Sequence, residues 1–498
     1  MQDLKITTED KSFILLFAGL TLLYVLPMII ANCPYNDDYC RIMTGNSWDD
    51  DGRLLPSQIM RFLMHATTIY TPAPLPLLLS IPVFTFGGLL IKKLFIDVDN
   101  PYISTILAFG FIFNPFLLRL FIYQLDSLGL SLSLVLLIVP FALKMPQNTK
   151  KIFRYHAACA LCIFLSINSY QASLGFFMAL AVIEFVHSIY KNEYEGIFKT
   201  IANRILQLVL AFIAYKLFLK LFFIANIARR AAKSQTLDLS ENGLHLFLEN
   251  CRAMSALIFS SLSQQQIIFF SLLLIISIVF VAYTYKKNVL TADIAPVFKI
   301  ISSLAVLAPL IIFSFSFIHM AVIKESFKSS LQVLTSFSGI TAFLFLVPGW
   351  AIKNKKILCW LLAPVMLSGL GFSYLAGNLV KVEHDYHQPI ISSIVSKIND
   401  ATSDKETTLY YSGNLQNSHY FHRLVETFPI FRPLDTNAPW AFKYQLPYYG
   451  CGVRNYRDIE HNPLKTAINT SDLPLIADTF HYTLYKYNSD LLLIFKKP

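Results

Sequence analysis

Apolar residues in this chain come in long, nearly uninterrupted runs rather than in short alternations. The first is Phe13 to Ala31. Ten more lie near 73–91, 102–120, 127–144, 153–169, 172–190, 203–224, 266–284, 299–318, 331–350 and 357–376. Each approaches the roughly 20 residues that carry a helix across a bilayer core. The pattern therefore predicts a polytopic α-helical membrane protein of about eleven spans. The fifth and sixth are parted only by a tight turn at Asn168-Ser169-Tyr170. No small-residue cleavage site follows the first run, and Cys33-Pro34-Tyr35 reads as the start of a loop. A retained helix is expected there, not a signal peptide.

From about Asn378 the pattern changes. Charge, Asn, Asp, Ser and His rise, and no further spanning run occurs. Residues 1–377 are expected to form the membrane region and 378–498 a small α/β domain. Within the latter, Thr407 to Tyr411 reads as a strand and His419 to Glu426 as a helix. Thr479 to Tyr485 and Leu491 to Phe495 read as a hairpin about Tyr487-Asn488-Ser489-Asp490. Its aromatics Tyr444, Tyr448 and Tyr449 suit either a small core or stacking on sugar rings.

Composition agrees with the pattern: 55% of the 498 residues are hydrophobic and 14% charged, and the mean hydropathy is +0.52. A soluble chain would carry about 25% charged residues. A net charge of +10 could suit nucleic acid, but the cations fall in alternate short loops. Lys92-Lys93, Lys144, Lys150-Lys151, Arg154, Lys191, Lys199, Lys286-Lys287, Lys353, Lys355 and Lys356 all land on one side. That side is expected to be the cytoplasm, with the N-terminus, and no nucleic-acid partner is implied. Loops 32–71 and 226–265 and the C-terminal tail then face outward. Cys159 and Cys162 lie inside an apolar helix without further ligands, so no zinc or redox centre is expected. Cys33, Cys40, Cys251 and Cys451 fall on the outer side, where spacing fixes no pairing. No Walker A or G-x-G-x-x-G pattern is present.

The densest chemistry lies in the first outer loop. Asp37-Asp38-Tyr39-Cys40-Arg41 is followed by Trp48-Asp49-Asp50-Asp51-Gly52-Arg53. A carboxylate there can take a proton from a hydroxyl, and a guanidinium can grip a phosphate with two parallel hydrogen bonds. The same residues would also serve as solvated helix caps. Gln58 to Met64 is amphipathic enough to lie along a membrane surface. Asp126, at the outer end of the third run, is either the N-cap of the fourth helix or a second acid. Arg229, Arg230 and Lys233, with Lys216 and Lys220 near the end of the seventh run and Lys324 and Lys328 beyond, place cations on the outer side against the prevailing pattern. They either snorkel or hold a lipid phosphate. Tyr170-Gln171 either faces a sugar or closes its turn. Asp49-Asp50-Asp51 could in principle hold a divalent cation, but adjacent acids in a loop are more often solvated, and a lipid phosphate leaves readily enough without a metal. Glu184, His187 and His319 lie near span ends. Neither a chain of midplane charges nor an inverted repeat is evident, which argues against an ion-coupled transporter.

Asp37-Asp38-x-x-Arg41, Trp48, Asp51-Gly52-Arg53, then Asn114-Pro115-Phe116 before Asp126, and Ser169-Tyr170-Gln171 resemble the serotype-converting O-antigen glucosyltransferases of the Gtr type II family. The layout resembles that family over essentially the whole chain; the motifs concentrate in the first third. Cys40 stands where the family more often has a small or apolar residue. The resemblance implies a GT-C-type membrane glycosyltransferase of the bacterial inner membrane that needs no cofactor. Its expected donor is undecaprenyl-phosphate glucose, and its expected acceptor is the lipopolysaccharide O-antigen on the periplasmic face. Asp37 or Asp38 would match the acid of the first outer loop and Asp126 that of the second. Arg41, Arg53, Arg229, Arg230 and Lys220 would hold the donor phosphate, and Tyr170 and Gln171 substrate. The alternatives are a transporter or flippase of a lipid-linked sugar, or another envelope polysaccharide transferase or polymerase.

Overall fold

The computed structural model describes residues 6–194, 196–222, 236–238, 240–293, 295–324, 331–402, 404–435, 438–460 and 470–496. Among them, nine helices are long and apolar enough to cross a membrane. Helix α1 is Thr8–Ala31. The first loop folds into two short helices, α2 (Asp37–Thr44) and α3 (Leu54–Met64). Helix α4 is Leu75–Phe95.

The third apolar run departs from the sequence expectation of one continuous span. It is split into α5 (Pro101–Phe109) and α6 (Leu117–Ile122). Pro115 has no N–H to give a helix, and Asn114 replaces the missing order. Its side-chain amide donates to the carbonyls of Leu334 and Thr335 at 3.0 and 3.2 Å, while its oxygen accepts from the Phe116 amide. Non-helical backbone at membrane depth is tolerable only when protein surrounds it, and residues 109–118 are all buried. The fourth run is also shorter than expected, as α7 (Ser127–Ala142).

Helices α8 (Thr149–Ser169), α9 (Leu174–Tyr190) and α10 (Ile197–Phe222) follow. In the second large loop, α11 (Glu241–Ser261) appears where the sequence reading expected no element. Its Asn250 holds the carbonyls of Ala321 and Ile323, whereas Leu244, Leu248 and Phe259 remain exposed. Next come α12 (Gln264–Thr284), α13 (Pro296–Ser303), α14 (Ala308–Phe315), α15 (Ile318–Ala321) and α16 (Ser338–Ala351). All seven cysteines are unpaired.

Helix α17 runs through Lys355–Ala401 without stopping near Asn378. Its second half keeps an apolar stripe, Leu379, Val380, Ile390, Ile391, Ile394, Val395 and Ile398, at the three-to-four spacing of a packed helix face. The later part of that stripe shares a core with a five-stranded sheet. The strands are β1 (Thr408–Ser412), β2 (Asn455–Asp458), β3 (Leu475–Asp478), β4 (Tyr482–Tyr487) and β5 (Asp490–Phe495). Their order is β2-β1-β5-β4-β3. β1 pairs in parallel with β2 and β5; β4 pairs antiparallel with β3 and β5. The β4–β5 hairpin turns where Asn488 takes a positive φ of 55°. Helices α18 (His419–Thr427) and α19 (Pro439–Tyr448) complete this part. Glu383 on α17, fully buried, accepts from the Ser418 amide and hydroxyl at the start of α18 and so ties long helix to domain.

One end of the bundle gathers basic side chains: Lys92 and Lys93 both pair with Asp10, at 2.8 and 3.2 Å, and Lys353 donates to Tyr190. The first loop and the C-terminal sheet lie at the other end.

Candidate active site

The two adjacent aspartates open α2, and the turn of about 100° between successive helical residues points them in different directions. Asp38 points inward and is fully buried. Its carboxylate accepts from the backbone amides of Tyr35 and Gln124 at 3.0 and 3.1 Å, with Leu125 at 3.4 Å. It therefore stitches the first loop to the segment between α6 and α7. Burial and the nearby charge of Asp126 push its carboxyl up to about 8, against the pull of the two closer amides. Near neutral pH it holds its proton.

Asp37 is only half-buried, and it has no hydrogen-bond partner among the described residues. Burial and Asp126 raise its carboxyl above the usual range, while Arg41, Arg53 and Arg119 pull the other way. It is thus a carboxylate of raised basicity, with both oxygens unengaged, set among three guanidiniums.

Each arginine is fixed by a different element. Arg41, one turn along α2, donates to the Ser47 carbonyl at 3.2 Å, lies 4.2 Å from the Trp48 ring and sits 3.9 Å from Asp51. Its Nε is buried without a partner among the described residues. Arg53 follows Gly52, whose φ of +69° suits glycine. A Cβ at Gly52 would also meet the Tyr215 hydroxyl and the Leu219 side chain of α10. Arg53 donates through Nε to Gln171 at 2.8 Å and lies 4.5 Å from the Tyr170 ring, leaving the two terminal nitrogens of its fork unbonded among the described residues. Arg119, on α6, reaches the hydroxyls of Tyr35 and Tyr123, and its Nε has no partner among the described residues.

Asp126 occupies the N-cap position of α7 but makes no capping bond. Its carboxylate accepts instead from the indole N–H of Trp48. Trp48 is fully buried. It holds Asp126 at its edge and Arg41 on its face, so one side chain sets two charged groups. Tyr170 donates to the Gln332 carbonyl at 2.8 Å. Gln171 accepts from Arg53 and donates to the Asp51 carbonyl and the Tyr215 hydroxyl. Both therefore brace the Arg53 loop.

The other residues singled out in the sequence fall elsewhere. Asp49 turns to Arg61 at 2.7 Å. Among the described residues no three His, Cys, Asp or Glu side chains are gathered as a metal would need. Lys220 is exposed on the last turn of α10, next to the Leu219 that approaches Gly52. Arg229, Arg230, Lys233 and Lys328 lie outside the described residues. Sequence reasoning missed Arg119. The signal was present, since a lone arginine inside Phe116-Leu117-Leu118-Arg119-Leu120-Phe121 is costly at membrane depth unless used.

Residues 26–343 match the family model described as glucosyl transferase GtrII, which takes in α2, α3, Arg119, Asp126 and Gln171. The chain belongs to the GtrII glucosyl transferase family. A curated relative from Salmonella phage P22, described as an uncharacterized 55.3 kDa protein in the gtrB 5′ region, is 30% identical over 221 residues. That stretch is 43% of this chain and 44% of the relative, so the match spans less than half of either. No solved structure matches this GtrII chain. The family match ends before α17, and the C-terminal sheet lies beyond it.

Proposed function

We propose that this GtrII protein transfers a glucosyl residue from a polyprenyl-phosphate donor to O-antigen polysaccharide at the periplasmic face of the inner membrane. One observation carries the reading. An unengaged carboxylate of raised basicity, Asp37, sits among Arg41, Arg53 and Arg119 at one end of a membrane bundle. That pairing of base and cations suits attack by a hydroxyl on a carbon whose leaving group is a phosphate.

In this account the acceptor hydroxyl attacks the anomeric carbon while Asp37 takes its proton. The bond from the anomeric carbon to the phosphate oxygen breaks, and its electron pair leaves with the polyprenyl phosphate. Arg53 and Arg119 meet the growing charge with their unused N–H groups. Asp126, on the same side of the loop, orients the acceptor; Asp38 holds the loop and takes no part in proton transfer. A small pocket of about 20 Å³, lined by Tyr24, Phe113, Leu118, Phe270 and Phe372, lies against α6.

The test is transfer by the purified protein in lipid nanodiscs, offered undecaprenyl-phosphate glucose and smooth lipopolysaccharide. Mass spectrometry and NMR of the polysaccharide should show added glucose. If the donor is neither consumed nor its glucose found on the polysaccharide, the reading fails.

A further inference from the structure

Trp440, Tyr444 and Tyr448 recur every fourth residue on α19 and so share one helix face. The opposite face holds Ala441, Phe442, Gln445 and Leu446, all buried, with Phe442 and Leu446 in the core of the C-terminal domain. The domain's own core therefore does not use the aromatic face, whose Tyr444 is half-buried and whose Trp440 and Tyr448 are more open. Trp440 is 44% exposed and Tyr448 41%. The Trp440 and Tyr444 rings lie 6.4 Å apart, and the Lys443 ammonium sits 5.0 Å from the Tyr444 ring. Single exposed apolar residues need no explanation, but an aligned row of large rings marks an interaction surface.

The row leads to the candidate active site. Tyr448 meets the Tyr39 ring edge-on at 5.1 Å, and the Tyr444 hydroxyl lies beside the Cys40 thiol. Tyr39 and Cys40 belong to α2, whose other face carries Asp38 and Arg41. The stripe thus runs continuously into the helix that presents Asp37.

Resting on the transferase reading, we propose that this aromatic face of α19 is the platform for the acceptor's sugar chain. Flat rings with polar rims offer rigid contact area at little entropic cost. They suit pyranoses, which show a C–H face and hydroxyl edges. Nine of the ten α19 residues are uncharged, and the exception is Lys443, so the helix offers hydroxyl-bonding groups without repelling an acidic glycan. A face turned to lipid tails would instead lack the polar rims of Trp and Tyr, as do the exposed Phe212, Leu217, Leu221 and Phe222 of α10. The stripe covers about 12 Å of helix axis at 1.5 Å per residue, long enough for more than one sugar ring.

The experiment is calorimetric titration of the full protein in nanodiscs with lipid-free oligosaccharides released from smooth lipopolysaccharide. No donor is present, so binding is read apart from transfer. Trp440→Ala with Tyr448→Ala should weaken binding by about tenfold or more, close to 1.4 kcal/mol. Trp440→Phe should stay within about twofold of wild type on the same scale. The double variant should raise the acceptor KM in step, with donor KM and melting temperature unchanged. Equal binding by wild type and double variant, or no binding by wild type, overturns the platform. So does a variant that binds sugar normally but no longer inserts in membranes, since the rings would then be an interfacial anchor. Loss of the platform with glucose transfer intact leaves the transferase reading standing. Sugar binding through the stripe without any transfer leaves the platform and removes that reading.

Discussion

Two clusters of arginine and carboxylate occupy opposite ends of the same helical bundle, and they are built on opposite plans. At the basic end, Arg204 grips Glu184 through both oxygens at 2.9 and 2.7 Å. Its remaining nitrogen donates to the Pro140 carbonyl and to Gln207, and the Phe141 ring lies 4.2 Å from the guanidinium. Every nitrogen has a partner. At the other end Arg41, Arg53 and Arg119 each keep hydrogen-bonding capacity unmet among the described residues, and Asp37 accepts nothing there. Buried polar groups are normally satisfied. A saturated pair is explained by holding helices together; convergent unsaturated charges call for a ligand that arrives and leaves.

The most severe break of this contrast is Asp37→Asn, which keeps the shape and removes the base. Turnover should fall by about 10²–10⁴ with an unchanged melting temperature, read by glucose transfer beside thermal unfolding. Glu184→Ala should do the reverse. It strands the Arg204 charge and should cost roughly 3 kcal/mol of stability, the low end for a broken buried pair. Donor KM should not move. A Glu184→Ala protein of normal stability but poor donor binding would erase the distinction between the clusters. Trp48→Phe comes next: losing a hydrogen bond to a charged group costs about 1.5–3 kcal/mol. The loss should appear in kcat and in acceptor KM, because the Asp126 carboxylate loses its only hydrogen bond among the described residues.

The smallest effect concerns Asp38. Its folded carboxyl lies at about 8 against an ordinary 3.8, so folding favours the protonated form. The stability this contributes is complete below about pH 4 and is lost as pH rises through 8. Asp38→Asn mimics the protonated acid and keeps an oxygen for the Tyr35 and Gln124 amides. Melting temperatures measured between about pH 5 and pH 9 should decline for wild type and stay flatter for the variant, and the variant should retain most of its turnover. If Asp38→Asn instead loses as much activity as Asp37→Asn, the two aspartates do not differ as their settings imply.

Much of the fold was legible because it rests on apolar runs, which report a membrane helix directly. The β4–β5 hairpin and α18 were equally readable from alternation and turn residues. What failed had identifiable causes. Averaging hydropathy over 102–120 passed over Asn114-Pro115, whose backbone chemistry breaks the helix, and over Arg119, one charge among apolar neighbours. The composition shift near Asn378 is real, but the three-to-four spacing from Leu379 to Ile398 carries α17 straight through it. At the site, residue types disclosed a base and cations. They could not separate Asp37 from Asp38, because one residue of helix rotation decides which faces the protein. Nor could spacing show that Trp48 joins Asp126 to Arg41, or that α19 lies against α2, since both depend on contacts between distant segments.

The central claim is that the unmet hydrogen bonds around Asp37 await a lipid phosphate. It is tested most directly by the affinity of undecaprenyl phosphate, the leaving group without its sugar, for wild type, Arg53→Ala, Arg119→Gln and Asp37→Asn in nanodiscs. Losing one charge-assisted bond at about 1.5–3 kcal/mol predicts roughly 10–150-fold weaker binding for each arginine variant. Asp37→Asn should bind as tightly as wild type or more so, because it removes a negative charge beside the phosphate. Wild-type affinity in both arginine variants would contradict the account.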